Sequence, residues 1–549
     1  MSILTYTITS DDRDMSPKYD ILSISVVNEV NRISYAELVL IDGDYATQTY
    51  DISDGDFFNP GKLISITLRE QRPLAAEKEV FKGLVIAQSL KYDQGNSLLT
   101  VEMSDAAIKL TTTKKSNVFE KIKDNELIQD IIFGGGLGLG KVDKTSFEHE
   151  RIIQYHTTDW DMLLSRADAN GLLVTAINGR ISARFPKLFD VPKYDFDLAT
   201  FDIYDLELKL DIREQYAAVQ TTTWDEANHT LINSSADAFN LVQGTFKADE
   251  VSDILGDEGD RLLASVPLSA EEAKAWANAR MFRTRLAMLR GSFKIAGITT
   301  LNLLDIITLT GMGAKFDGKT MVTGIRHEVT GGSWFTHLQF GLSPNWLSGT
   351  ATLTDVPASG LLPGINGLQT AIVEKIELDA TNRARVKVRM PGVTGDGNVI
   401  WARMATLGAG NARGVFFWPE KDDEVVLGFI NDDPRYPVIL GSLYGSKNTP
   451  PVARDEDNSV KGFVSKYGLK LLFDDEEEQI SILTSAENRI VINDIEKFIE
   501  INDINGNSIK LDENGIVMNV AKDLVIKATG NVSIKGKNIK IEGNKIDLK

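Results

Sequence analysis

The groups in this 549-residue chain that could carry chemistry are few: five histidines, some acidic clusters, one glycine run and no cysteine. Without cysteine there is no disulfide, no thiolate metal site and no thiol nucleophile. His149, beside Glu150, and His156 lie seven residues apart, whereas two zinc ligands on one helical face need a spacing of about four. The run Gly134-Gly135-Gly136-Leu137-Gly138-Leu139-Gly140-Lys141 has the glycines and lysine of a phosphate loop. Val142 stands where Ser or Thr would hold Mg²⁺, however, and the run follows a helical pattern instead of a strand, so it reads as a loop. Asp503, Asn505 and Asn507 surround Gly506 like part of a calcium loop that lacks its closing glutamate. Asn505-Gly506 is expected to make a tight turn, and the acidic run Asp474 to Glu478 a solvated one. No serine sits in a nucleophile-elbow pattern. The expectation is a chain that is not an enzyme, with no cofactor, no metal and no catalytic residue.

The elements around these groups are those of a large folded protein. Such a length suggests roughly three to five domains. The hydrophobic share of 42% and charged share of 25% argue against disorder, and no apolar run approaches the ~18 residues that span a bilayer. The first residues, MSILTYTITSDDRD, have no basic patch followed by an apolar stretch, so the chain is expected to start in the cytoplasm. A net charge of −19 repels phosphate, so nucleic acid is not an expected partner; the acidity suits solubility of a large assembly.

Fold class is expected to be mainly β and multidomain. Alternation over Ile21–Val27, Ala36–Ile41, Leu63–Leu68 and Leu98–Met103, with glycines such as Gly43, Gly61 and Gly95 between, predicts a first β-barrel or sandwich over residues 1–115. An α/β insert over 116–198 holds a helix at Asn125–Phe133 and another starting at Thr158-Asp159-Trp160-Asp161, stopped by Gly171. A second β domain over 199–345 contains a helix capped by Ser269 and Glu272 and running to about Arg290, followed by strands at Gly297–Thr310, Lys319–Arg326 and Trp334–Phe340. Pro344, Pro357 and Pro363 mark a linker over 346–367. Residues 368–446 offer five strands, the number of an OB-fold: Gln369–Leu378, Arg383–Met390, Val399–Met404, Gly414–Phe417 with Glu424–Phe429, and Val438–Leu443. A second linker at 447–461 precedes a β-helical segment over 462–549. Trp334, Phe335, Phe416, Phe417 and Trp418 read as core or interface.

That last segment is built of apolar-x-apolar pairs. Leu524/Ile526, Val532/Ile534, Ile539/Ile541 and Ile546/Leu548 recur at steps of 8, 7 and 7 residues. Residues i and i+2 of a strand point to one side, so each pair directs two apolar groups inward. A unit this short cannot bury its own apolar face. Coils of a single-chain solenoid usually need around 20 residues, so three intertwined chains are the expected arrangement and another kind of β-rich tail the alternative, with a rod of roughly eleven repeats on the order of 50 Å long.

The segments Ala384-Arg385-Val386-Lys387-Val388-Arg389-Met390-Pro391, Trp401-Ala402-Arg403-Met404, Gly414-Val415-Phe416-Phe417-Trp418-Pro419, Asp423 to Phe429 and Asp433 to Tyr444 resemble the OB module of VgrG spike proteins of type VI secretion and of related phage-tail-like injection particles. Thr158-Asp159-Trp160-Asp161-Met162-Leu163-Leu164 resembles a helix start of that family, and Phe316-Asp317-Gly318-Lys319 with Val322 to His327 resembles the second barrel of a contractile-phage hub. The resemblance implies a homotrimeric spike whose six hub barrels match a sixfold inner tube protein to a threefold needle. Implied partners are baseplate proteins, effector cargo as a separate chain, a target membrane touched transiently, and a PAAR-like tip protein docked at Asp547, Leu548 and Lys549. With no histidine beyond His337, a histidine-held metal in the needle is not expected. Assembly in the cytoplasm would be followed by delivery or release as part of a particle. The alternative is a prophage tail hub that binds or cleaves glycans.

Overall fold

The computed structural model describes residues 5–547 apart from 44–46, 71–76, 94–95, 226–227, 240–241, 244–245, 255–258, 265, 348–356, 381–382, 394–398 and 454. Strands dominate, with four α-helices among the described residues. The chain divides into two compact units, Met1–Asp355 and Val356–Lys549.

The first unit is organised by one 13-stranded sheet. Its strands follow the expected alternation: in Tyr35–Ile41, Ala36, Leu38 and Leu40 are wholly buried while the residues between them face outward. The two expected hub barrels are not separate sheets. The 13-residue strand Gly318–Thr330 is long enough to pair on both edges, with Ser333–Phe340 on one side and Asp20–Glu29 on the other, which joins both groups of strands. Two cores result, one around Leu38, Ile66, Phe81 and Val101, the other around Phe196, Phe293, Ile307 and Leu338. Val329 and Trp334, carried by the second group, pack into the first core.

Helices form at Asp124–Gly134, Asp159–Asn170 and Ala270–Ala287. Thr158 accepts the Asp161 amide, Gly171 closes the second helix at φ 74°, and Ser269 accepts the Glu272 amide. Helix Ala270–Ala287 stops short of Arg290 because Leu289–Ala296 is drawn into the sheet between Ile203–Leu210 and Ser333–Phe340. The strand expected from Gly297 begins only at Ile306. At Gly297 the Trp334 ring fills the space of a side chain: a Cβ there would lie 2.0 Å from Cδ2 of that ring.

In the second unit, Gln369–Lys375, Arg385–Arg389, Val399–Met404, Pro437–Leu443 and Glu424–Phe429 close into a five-stranded barrel in that order. Ala371, Val373, Val388, Ala402, Val425, Leu427 and Ile439 are fully buried in its core. Gly414–Phe417 contributes no long strand; Arg413–Gly414 pairs only with Ala409–Gly410. Seven strands of five residues then follow as an antiparallel meander from Val460–Val464 to Gly515–Asn519. With strands ~4.8 Å apart, seven stack to a height of about 29 Å. Its corners are closed by side chains. Asp474 accepts the Glu476 and Glu477 amides, Asn493 the Glu496 amide, and Asp503 the Asn505 and Asn507 amides, with Gly506 at φ 87°. The acidic run and Asn505-Gly506 are thus turns, as expected. Hydrogen bonds from Asn507 and Asn505 hold the Asp503 carboxyl down to about 2. Residues 520–547 form no strand within the chain.

Candidate functional site

The strand register of the meander places two apolar rows on one face. One row runs Phe463, Leu471, Ile482, Ile490, Ile501, Ile509, Met518; the other runs Phe473, Ile480, Ile492, Ile499, Leu511, Ile516, with Lys461 at its start. Each strand supplies one residue to each row because i and i+2 share a face. The opposite face is mixed: Gly462, Leu472, Ser481, Val491, Glu500, Lys510 and Val517. Burial runs against composition. Ser481, Val491 and Asn493 of the mixed face are buried, whereas most of the rows stay exposed in the single chain. At the start of the array, Phe463 stacks on Phe417 of the barrel's loop at 5.4 Å, and Lys466 reaches Glu420 at 2.9 Å.

The rows continue the pairs found farther along. Leu471/Phe473, Ile480/Ile482, Ile490/Ile492, Ile499/Ile501 and Ile509/Leu511 recur at steps of 9, 10, 9 and 10 residues. Ile516/Met518 then leads into Leu524/Ile526, Val532/Ile534, Ile539/Ile541 and Ile546/Leu548 at 8, 8, 7 and 7. The longer step accommodates a reversing corner, and each of those strands pairs with the next one in its own chain. The step of 7 from Ile509 to Ile516 still joins two strands paired within the chain, and self-pairing ends only after Asn519. Leu524, Ile526, Val532, Ile534, Ile539, Ile541 and Ile546 are all half or more exposed, from 50% at Ile546 to 69% at Ile526. Asp547 pairs with Lys545 at 2.8 Å, and Leu548 and Lys549 lie outside the described residues. The upstream pairs were legible in the sequence as the same i, i+2 signal at a longer step.

Three buried polar clusters of the first unit are structural. Asp124, almost wholly buried, receives His149 at 3.1 Å, Arg166 at 2.7 and 3.0 Å and Asn170 at 2.8 Å. Burial would raise its carboxyl, but the bonds from His149, Arg166 and Asn170 together hold it well below the usual range. This network ties helix Asp124–Gly134 to strand Glu148–Thr158 and helix Asp159–Asn170. Buried Arg283 pairs with Asp168 and reaches the carbonyls of Ser343 and Asn345. His327 is enclosed, and burial beside the Lys78 charge pushes its imidazole down to about 3. No group of three metal-ligating side chains occurs among the described residues. In the second unit a cleft of about 510 Å³ beside the Ala409–Gly414 hairpin is lined by Arg383, Arg403, Arg413 and the exposed Phe416, Phe417 and Trp418, and by no carboxylate. The acid pair needed for glycoside cleavage is not found there.

Residues 369–444 match the type VI secretion system/phage-baseplate injector OB domain, and residues 1–331 match the Alg8 N-terminal domain. The spike protein VgrG3 of Vibrio cholerae is 33% identical over 98 residues, 17% of this chain and 10% of that protein. The actin cross-linking toxin VgrG1 of the same species is 31% identical over 118 residues, 18% of this chain and 11% of its own. The chain thus spans about a tenth of the length of these curated relatives. The 43 kDa tail protein of prophage MuSo2 from Shewanella oneidensis superposes with a TM-score of 0.47 at 12% identity, covering 62% of this chain and 98% of that one. The segment that matches the injector OB domain is the five-stranded barrel, and the stacked strands follow it in the chain. The chain belongs to the Alg8 N-terminal domain family, whose model covers more than half of it, and it is similar to VgrG-type spikes.

Proposed function

We propose that three copies of this chain assemble into a spike in which the apolar rows and the pairs from Leu524 to Leu548 meet on a common axis. The reading rests on one observation: a single chain leaves most of these two rows and seven further apolar side chains open to water along one continuous i, i+2 pattern. Burying apolar surface contributes roughly 25 cal/mol per Å², so a rod lined this way gains strongly from association. An antiparallel meander cannot hide one of its faces without another sheet, and copies of itself offer a matching one. Beyond Asn519 backbone groups with no partner strand in their own chain find partners in neighbouring copies.

In this reading the first unit supplies hub barrels that adapt a sixfold inner tube to the threefold rod. Baseplate proteins contact that hub, a PAAR-like tip protein docks at Asp547, Leu548 and Lys549, and effectors travel with the spike. Work on the target envelope is mechanical and driven by contraction elsewhere, so the chain acts without turnover of its own. Light scattering of the purified full chain tests the assembly. Three times the 60.5 kDa chain mass is expected, and a fully folded species of one chain mass at micromolar concentration would refute it.

A further inference from the structure

The two parts of the C-terminal array carry opposite charge. The meander includes the five consecutive acids Asp474 to Glu478, in a chain of net charge −19. Between Lys527 and Lys545 the sign reverses: Lys527, Lys535, Lys537, Lys540 and Lys545 stand against Glu542 alone, a net charge of +4. Lys540 pairs with Glu542 and Lys545 with Asp547, while Lys527, Lys535 and Lys537 make no ion pair among the described residues. All five lysines are exposed.

We propose that this lysine belt is a binding surface for anionic lipid headgroups, engaged along the flank of the rod. The inference rests on the three-copy reading above, which turns the apolar pairs inward and triples the belt's charge. Lys527 follows Ile526 and Lys535 follows Ile534, and the neighbour of an inward strand residue faces outward. The lysines are spread over successive repeats, as a surrounding bilayer would require, and are not gathered on one repeat as a cap protein would favour. The stretch also lacks what shaped protein pockets use. Residues 499–549 contain no Phe, Tyr or Trp and no Arg, the residues that anchor protein interfaces and bidentate contacts. Lysines are point charges on flexible stems and suit diffuse headgroup phosphates, with attraction that fades within a Debye length.

Co-sedimentation of the full chain with vesicles tests this, using pure phosphatidylcholine and phosphatidylcholine with phosphatidylglycerol, each at low and high salt. Light scattering on the same samples reports the number of chains. The trimer is expected to bind the anionic vesicles, to release them at high salt and to leave the neutral ones unbound. The K527Q/K535Q/K537Q/K540Q variant should lose at least tenfold in bound fraction at unchanged mass, while the corresponding Lys→Arg variant keeps its binding. Equal binding to both vesicles, wild-type binding by the glutamine variant, or a trimer that binds an acidic protein or a DNA duplex but neither vesicle would overturn the inference. A single-chain mass in the wild type would instead remove the assembly on which it rests.

Discussion

The first unit and the C-terminal array are both made of alternating strands, yet they settle their apolar surface differently. In the first unit a 13-stranded sheet and its helices enclose Leu38, Phe81, Phe293 and Leu338 with residues of the same chain. In the array most of the rows from Phe463 to Met518, and the apolar side chains of the pairs from Leu524 to Ile546, lie exposed in the single chain. Alternation therefore tells which residues share a face, and not whose atoms will cover it. The practical consequence is that perturbing the self-covered parts should change intrinsic stability, whereas perturbing the array should change association and depend on protein concentration.

The largest expected effect tests the self-covered side. Val388→Asp inside the closed barrel buries an unpaired carboxylate and should cost more than ~4 kcal/mol, abolishing the barrel's folding at any concentration; circular dichroism and limited proteolysis report it. On the array side, Ile490→Asp with Ile492→Asp should leave the first unit and the barrel folded but reduce the mass by light scattering from three chains toward one. Ile539→Asp with Ile541→Asp is expected to act more locally, disordering the rod beyond Asn519 and exposing it to protease while the meander holds. Unchanged melting, size and protease resistance in both double variants would erase the contrast between the regions.

A smaller effect follows from His327. Its folded-state value lies near 3, below the ordinary 6.5, so between these values the unfolded chain binds a proton that the native chain does not. Stability of the first unit is complete above pH 6.5 and falls as the pH drops through this window, by about 1.4 kcal/mol per pH unit at its steepest. Asp124, held low in the folded state, adds a further loss only below its ordinary value of 3.8. Chemical denaturation of wild type and His327→Gln between pH 7 and 4 should show the slope in the first and a reduced slope in the second. The smallest change expected is at Gly506→Ala, where φ 87° disfavours a Cβ: about 1 kcal/mol, seen as a slightly lower melting temperature of the assembled array.

Much of this was legible in the sequence. Helix starts at Thr158 and Ser269 were readable because a capping side chain acts over three residues. The five barrel strands and the Asp503–Asn507 corner were readable because alternation and turn chemistry are local. Less legible was the join of the two hub groups through Gly318–Thr330 and Asp20–Glu29, since pairing between strands some three hundred residues apart leaves no periodic trace. Nor did the sequence foretell the stop at Ala287 or the break at Gly297, which are imposed by a strand partner and by the Trp334 ring. The expected uniform array from residue 462 divides at Asn519 into a self-paired part and a part that forms no strand in the single chain.

The sequence by itself determined the spacing of apolar pairs, the turn residues between them and the reversal of charge along the array, because all three reside in nearest neighbours along the chain. Only the tertiary structure decided which strands share a sheet and that the apolar face is the open one, because register and cover depend on residues far apart in the sequence.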